Sequence, residues 1–161
     1  MKKVLLILAC GIATQLSYAQ ATPKWADKAK KAVFSIVTYD KDNKIKNTGN
    51  GFYINENGTA LSDYTLFEGA ERAVIINADS KELPVLRILG ANSMYDIVKF
   101  NTEADKKTIA LKSASQPASV GETVYLLPYS TQKAATCQTG TVTKVDTIGD
   151  KAYYYTLAMT T

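Results

Sequence analysis

The chain has 161 residues, a formal charge of +4, two cysteines and no histidine. Without histidine, no Ser-His-Asp or Cys-His nucleophile pair, H-E-x-x-H metal site or imidazole proton shuttle can be assembled within it. Hydrophobic residues at 46% and charged residues at 21% exclude the disordered class and suit one globular domain or two small lobes.

Met1-Lys2-Lys3 is a basic start, and Val4 to Ala13 is a mostly apolar run. Ser17-Tyr18-Ala19 then places small residues three and one before Gln20. Together these form the pattern of a bacterial secretory signal over residues 1–19, cleaved at Ala19-Gln20. The apolar run is too short to cross a bilayer as a helix, so no membrane span is expected. An alternative uses Ile7-Leu8-Ala9-Cys10, which loosely matches a lipoprotein box and would leave Cys10 as a lipidated anchor. The apolar stretch ahead of it is short for that role. Cleavage at Ala19 leaves 17 basic against 15 acidic residues, a net +2, which gives no ground for a nucleic-acid partner. It also leaves Cys137 without a disulfide partner in the chain, and a small hydrophobe in a strand is its expected role. The product is expected to be periplasmic or secreted.

Residues 20–31 read as an N-terminal helix, with Thr22 as cap and Pro23 at the first helical position. From Ala32 the period changes. Ala32 to Tyr39 is β-branched and aromatic on both faces, as in a buried strand. A polar loop over Asp40 to Asn47 leads to a strand at Gly51 to Ile54. Asn57-Gly58 signals a tight turn, and Thr59 to Ser62 returns as a strand. Phe67 to Ala70 reads as a helical turn, and strands follow at Val74–Ala78, Leu83–Leu89 and Ile97–Asn101. Residues 103–119 are polar and aperiodic, a linker between a first lobe (32–102) and a second (120–161). Three further strands are expected at Thr123–Leu127, Thr136–Val145 and Lys151–Leu157. Many short strands with regular turns predict an all-β barrel or sandwich.

The order of these segments resembles the trypsin-like serine peptidases, in particular their HtrA-like bacterial branch. Gly49-Asn50-Gly51-Phe52-Tyr53-Ile54 is similar to the family's G-S-G-F-x-I strand. Ser62-Asp63-Tyr64-Thr65-Leu66 stands where the family has T-N-x-H-V, and Glu68-Gly69-Ala70 matches its D-G-A turn. Tyr95-Asp96-Ile97-Val98-Lys99-Phe100 resembles the T-D-L-A-V-L segment that carries the catalytic acid. Val120-Gly121-Glu122-Thr123-Val124 and Thr139-Gly140-Thr141-Val142 are similar to the V-G-x-x-V and T-x-G-x-V segments of its second barrel. The resemblance implies a trypsin-like double β-barrel, the first barrel complete and the second truncated, with serine endopeptidase chemistry as the family's activity.

The same resemblance marks where this chain departs. The triad acid falls on Asp96, whereas the histidine position falls on Thr65, or on Tyr64 if the register slips by one. A Thr hydroxyl has no accessible protonation change near neutral pH, and a Tyr phenol titrates about three units too high. The family's G-N-S-G nucleophile and oxyanion segment is expected beyond a strand like Lys151–Leu157, and the sequence ends at Thr161 before it. A catalytically degenerate peptidase homologue is therefore expected, with Asp96 bonding nearby backbone at a strand start. The second lobe is expected to have open edges, completed by self-association or a partner chain.

Other candidates give weaker chemistry. Asp63, next to the histidine position, has the chemistry to pair with a lysine, but a loop aspartate in solvent is the default expectation. Ser62, Ser93, Ser113, Ser115, Ser119 and Ser130 have no nucleophile context, and no S-x-x-K dyad falls at a strand-to-helix junction. Asp40, Asp42 and Asn43 are too few oxygens for a hard cation. Tyr153-Tyr154-Tyr155 alternates faces in a strand, without the basic groove that base stacking needs. No metal or cofactor is expected. A second function class is a non-catalytic module in which a degenerate cleft or open strand edge holds an extended peptide or protein segment.

Overall fold

The computed structural model describes residues 23–104, 108–127, 129 and 137–160, with backbone alone at 152–154. The signal segment 1–19, Cys10, Thr22 and Ser130 lie outside the described residues. The chain enters through a short helix α1 (Ala26–Ala29) and a 3₁₀ turn (Lys30–Ala32). Six strands follow: β1 (Val33–Tyr39), β2 (Ile45–Tyr53), β3 (Thr59–Ser62), β4 (Arg72–Ile76), β5 (Glu82–Asn92) and β6 (Ile97–Thr102). A one-turn helix α2 (Tyr64–Phe67) sits between β3 and β4. Three more strands end the chain: β7 (Thr123–Leu126), β8 (Gln138–Ile148) and β9 (Lys151–Met159).

The all-β expectation holds. The first six strands close into a barrel in the order β1-β2-β3-β6-β5-β4, every pair antiparallel. β1 is apolar on both faces because β2 and β4 flank it and both of its faces are covered. Phe34 and Ile36 are fully buried, and Val33 and Val37 nearly so. The barrel is filled by Phe34, Ile36, Tyr53, Ile75, Val98 and Phe100. Phe34 meets Tyr53 edge-on at 4.8 Å between ring centroids and Phe100 at 6.2 Å, the offset geometry that aromatic quadrupoles favour.

Several boundaries differ from expectation for local reasons. α1 begins at Ala26 rather than after Pro23, whose carbonyl instead accepts the Ala26 N–H at 2.9 Å. The turn tightens to 3₁₀ at Lys30 and takes Ala32, like Ala26, out of solvent before β1. The Asp40–Asn47 loop is shorter than expected. Asp40 Oδ1 accepts the N–H groups of Asp42 and Lys44, both at 2.9 Å, and the chain re-enters β2 at Ile45. Asn43 Oδ1 accepts Arg72 Nε and Nη2, and the Arg72 guanidinium lies 3.6 Å from the Tyr39 ring centroid. The helical turn comes earlier, at Tyr64–Phe67, with Gly69 in the left-handed region after it.

β7, β8 and β9 form a separate antiparallel sheet in that order. Among the described residues β7 and β9 pair only with β8, so the sheet is open. Residues 103–104 and 108–122 carry no helix or strand, yet Leu111 donates its N–H to the Tyr53 carbonyl at 2.9 Å, which lays this stretch against the barrel. Two further contacts reach across: Trp25 meets Tyr125 edge-on at 5.2 Å, and the Tyr129 hydroxyl donates to the Asn77 carbonyl at 3.4 Å.

Gly51 is required by a close approach. A methyl group there would stand 2.6 Å from the Phe34 ring and 2.8 Å from the Leu61 carbonyl oxygen. The neighbours are a core ring and backbone, neither free to move aside. Gly51→Ala is expected to lower stability by about 1–3 kcal/mol in urea unfolding, the usual range for overpacking; an unchanged midpoint would show that the barrel relaxes around Phe34.

Candidate functional site

β3 ends at Ser62, which is held in place by donating its hydroxyl to the Asn50 carbonyl at 2.7 Å. Asp63 is the N-cap of α2, with extended backbone at φ −75° and ψ 132°. A one-turn helix leaves nearly all of its N–H groups without intrahelical partners, and an N-cap Asp ordinarily accepts one of them. Here the Asp63 side chain makes no such bond. Asp96, at the entry to β6, takes that role. Its carbonyl accepts the Tyr64 N–H at 3.2 Å, and its Oδ1 accepts the Thr65 N–H at 2.7 Å and the Thr65 hydroxyl at 2.8 Å.

The two residues placed by the family resemblance are thus in direct contact, 31 positions apart in sequence. Asp96 was expected to bond backbone close by in the chain. It instead reaches the start of α2 from the neighbouring strand end, since β3 and β6 are paired; its backbone is left-handed at φ 51°, and the preceding turn is tied by the Tyr95 N–H donating to Asn92 Oδ1. Asx side chains tolerate that conformation better than most others. The far end of α2 is anchored too: Asn47 Nδ2 donates to the Leu66 carbonyl at 3.2 Å, and Phe67 packs on Phe100 at 5.2 Å.

This geometry separates the two carboxylates electrostatically. The Thr65 amide, then the Thr65 hydroxyl, hold the Asp96 carboxyl below its ordinary value. Asp63 is pushed the other way, first by partial desolvation and second by the nearby Asp96 charge. A carboxylate stabilised as the anion is a weaker proton acceptor than a free one, so Asp96 does not activate the Thr65 hydroxyl it binds.

Asp63 also lines a cleft of about 580 Å³ between the barrel and the second sheet. Phe52, Leu61 and Ile97 wall it from the barrel, and Tyr125, Leu126 and Leu127 from the other side. Most of these apolar side chains are substantially exposed, with Ile97 at 48% and Leu126 at 49%. The cleft was not legible in the sequence, because its two walls come from segments far apart in the chain, Phe52, Leu61 and Ile97 on one side and residues 125–127 on the other.

The remaining candidates are occupied locally. Ser113 donates to the Ala114 carbonyl, and the Ser119 N–H is bound by Glu122. Cys137 is half-buried and directs its thiol to the Gln138 carbonyl. Tyr155 is 40% exposed on β9. No helix among the described residues is long and apolar enough to cross a membrane.

Comparison with known proteins bears on the fold. The chain is similar to a serine endoprotease from Yersinia pestis, with a TM-score of 0.63 at 16% sequence identity, covering 74% of this chain and 43% of that one. The fold is trypsin-like. At that identity the likeness concerns the scaffold alone, and this chain spans less than half the length of that protein. No family model matches the sequence, and no curated protein matches it.

The lowered carboxyl of Asp96 links the site to stability. Its folded value lies below its unfolded one, so the stabilisation is present above the ordinary carboxylate range and is lost as pH falls through the folded value. Asp96→Asn is expected to melt below the wild type near neutral pH, with the gap closing in acid. Thr65→Val, which keeps the amide bond, should lose less. A gap that persists unchanged in acid would mean that the charge of Asp96 contributes nothing.

Proposed function

We propose that this chain is an exported protein on a trypsin-like peptidase scaffold that holds an extended protein segment in its cleft without hydrolysing it. It is organised as a first lobe (32–102) and a second (120–161) joined by 103–119. The observation that carries the reading is the 2.8 Å hydrogen bond from the Thr65 hydroxyl to Asp96. By resemblance, that is where a peptidase places the group that takes a proton from its nucleophile and returns it to the leaving amine. Thr65 offers a hydroxyl that neither gains nor loses a proton near neutral pH. The other register would place a Tyr phenol there, a group that in general titrates about three units above neutral pH. No histidine elsewhere in the 161 residues can substitute.

Two features support binding. The cleft presents exposed apolar side chains from both of its walls, a surface that favours burial against a partner. One wall is built on β7, whose second edge pairs with no described strand and can bond the main chain of an extended segment. Export rests on the basic, apolar and small-residue pattern of residues 1–19.

Purified protein is expected to show no turnover of casein or fluorogenic peptides and no labelling by a serine-directed phosphonate. Specific labelling, absent from a denatured control, would overturn the non-hydrolytic reading. Expressed with its first nineteen residues, the exported product should have an N-terminal sequence starting at Gln20; a lipid-modified Cys10 or an uncleaved cytoplasmic product would contradict that cleavage.

A further inference from the structure

Asp63 occupies the N-cap of α2 without capping it, because Asp96 already accepts the N–H groups of Tyr64 and Thr65. The Asp63 carboxylate has no hydrogen bond and no ion pair among the described residues, where the salt bridges are Asp27–Lys30 and Lys144–Asp146. It lines the apolar cleft, and a second carboxylate stands near it with its own charge held in place. A negative charge left beside another, at the edge of an apolar surface, is unfavourable in the free protein. A cation arriving there relieves it.

We propose that the cleft selects an extended apolar protein segment carrying a lysine or arginine, whose charged head pairs with Asp63. This rests on the binding reading above and names the chemistry of the bound segment. Three observations favour that occupant. The walls from both lobes are apolar over most of their area, which suits aliphatic side chains. The edge of β7 that pairs with no described strand suits a main chain rather than a compact small molecule. The uncompensated charge is negative, which calls for a basic side chain at one position. A hard divalent cation fits poorly, since it takes about six to eight oxygens and Oδ1 of Asp96 is already engaged by Thr65. The other large hollow, about 510 Å³ beside residues 113–118, has no charged residue in its lining and offers no such selectivity.

The test uses the whole chain and two fluorescein-labelled, end-blocked octapeptides of alternating leucine and threonine. They differ only in a central lysine against norleucine, which keeps the aliphatic stem and removes the amine. By fluorescence anisotropy at low salt, the lysine peptide should bind about two- to fivefold tighter, the scale of one exposed ion pair. The preference should shrink at high salt. Asp63→Asn should bring the two peptides to parity while leaving the norleucine affinity within about twofold, as expected when one rim charge is removed. Asp63→Lys should reverse the preference towards a glutamate-centred peptide. Leu126→Ser should weaken lysine and norleucine peptides alike, which places them in the cleft. Asp63→Asn should melt no lower than the wild type, so a lost preference is not a lost fold.

Equal affinities in the wild type, a lysine preference that survives in Asp63→Asn, or an equal fall for both peptides in that variant would each overturn the inference while leaving the cleft a binding site. Failure of both peptides to bind at millimolar concentration would overturn the binding reading with it. Cleavage of a bound peptide would overturn the non-hydrolytic reading alone.

Discussion

Closure of the six-stranded barrel is the constraint from which the site follows. β1 must pair with β4, and β3 with β6, although neither pair is adjacent in sequence. The second pairing sets Ser62 opposite Val98. Two residues before Val98 stands Asp96, and three after Ser62 stands Thr65. The register that fills the barrel with Phe34, Ile75 and Phe100 therefore also brings a carboxylate to the exposed amides of α2. A slip of one residue would turn Val98 outward and part these two groups, so core packing and site geometry stand or fall together.

Within that frame, one acceptor replaces another. A single-turn helix needs an acceptor at its start, and the local residue of the right type, Asp63, does not supply it. Asp96 does so from the end of the neighbouring strand. The consequence is a division of labour between two neighbouring carboxylates: one bonded to the amide and hydroxyl of Thr65, the other lining an apolar cleft with no hydrogen-bond or ion-pair partner among the described residues. The first holds the scaffold together. The second is the group with interaction capacity left over, which is why the proposed selectivity is assigned to it.

Much of the fold was legible in the chain. β1 could be read from its β-branched and aromatic run, and the β2–β3 hairpin from Asn57-Gly58, where Gly58 adopts φ +81° and its carbonyl accepts the Thr102 N–H. The contact of Thr65 with Asp96 was legible only through the family resemblance, since nothing local in either segment points to the other. What escaped the sequence was long-range. α1 starts at Ala26, past Pro23, whose carbonyl accepts the Ala26 N–H, and Ala26 and Ala32 are buried. The capping role of Asp63 was lost to a residue 33 positions later, an exchange that no propensity encodes. The apolar exposure of Phe52 and Ile97 reads from sequence as ordinary strand composition; only the approach of the second sheet makes it a cleft.

The left-handed backbone at Asp96 reaches further than local geometry. That position admits few residues: Gly would lose the oxygen that Thr65 binds, Asn would bring a neutral oxygen in place of an anionic one, and bulkier side chains are strained there. An aspartate here is thus selected by the architecture of the barrel mouth, independently of any proton that needs to be moved. At the head of β6 the aspartate therefore serves folding, whatever chemistry the residue it faces can or cannot perform.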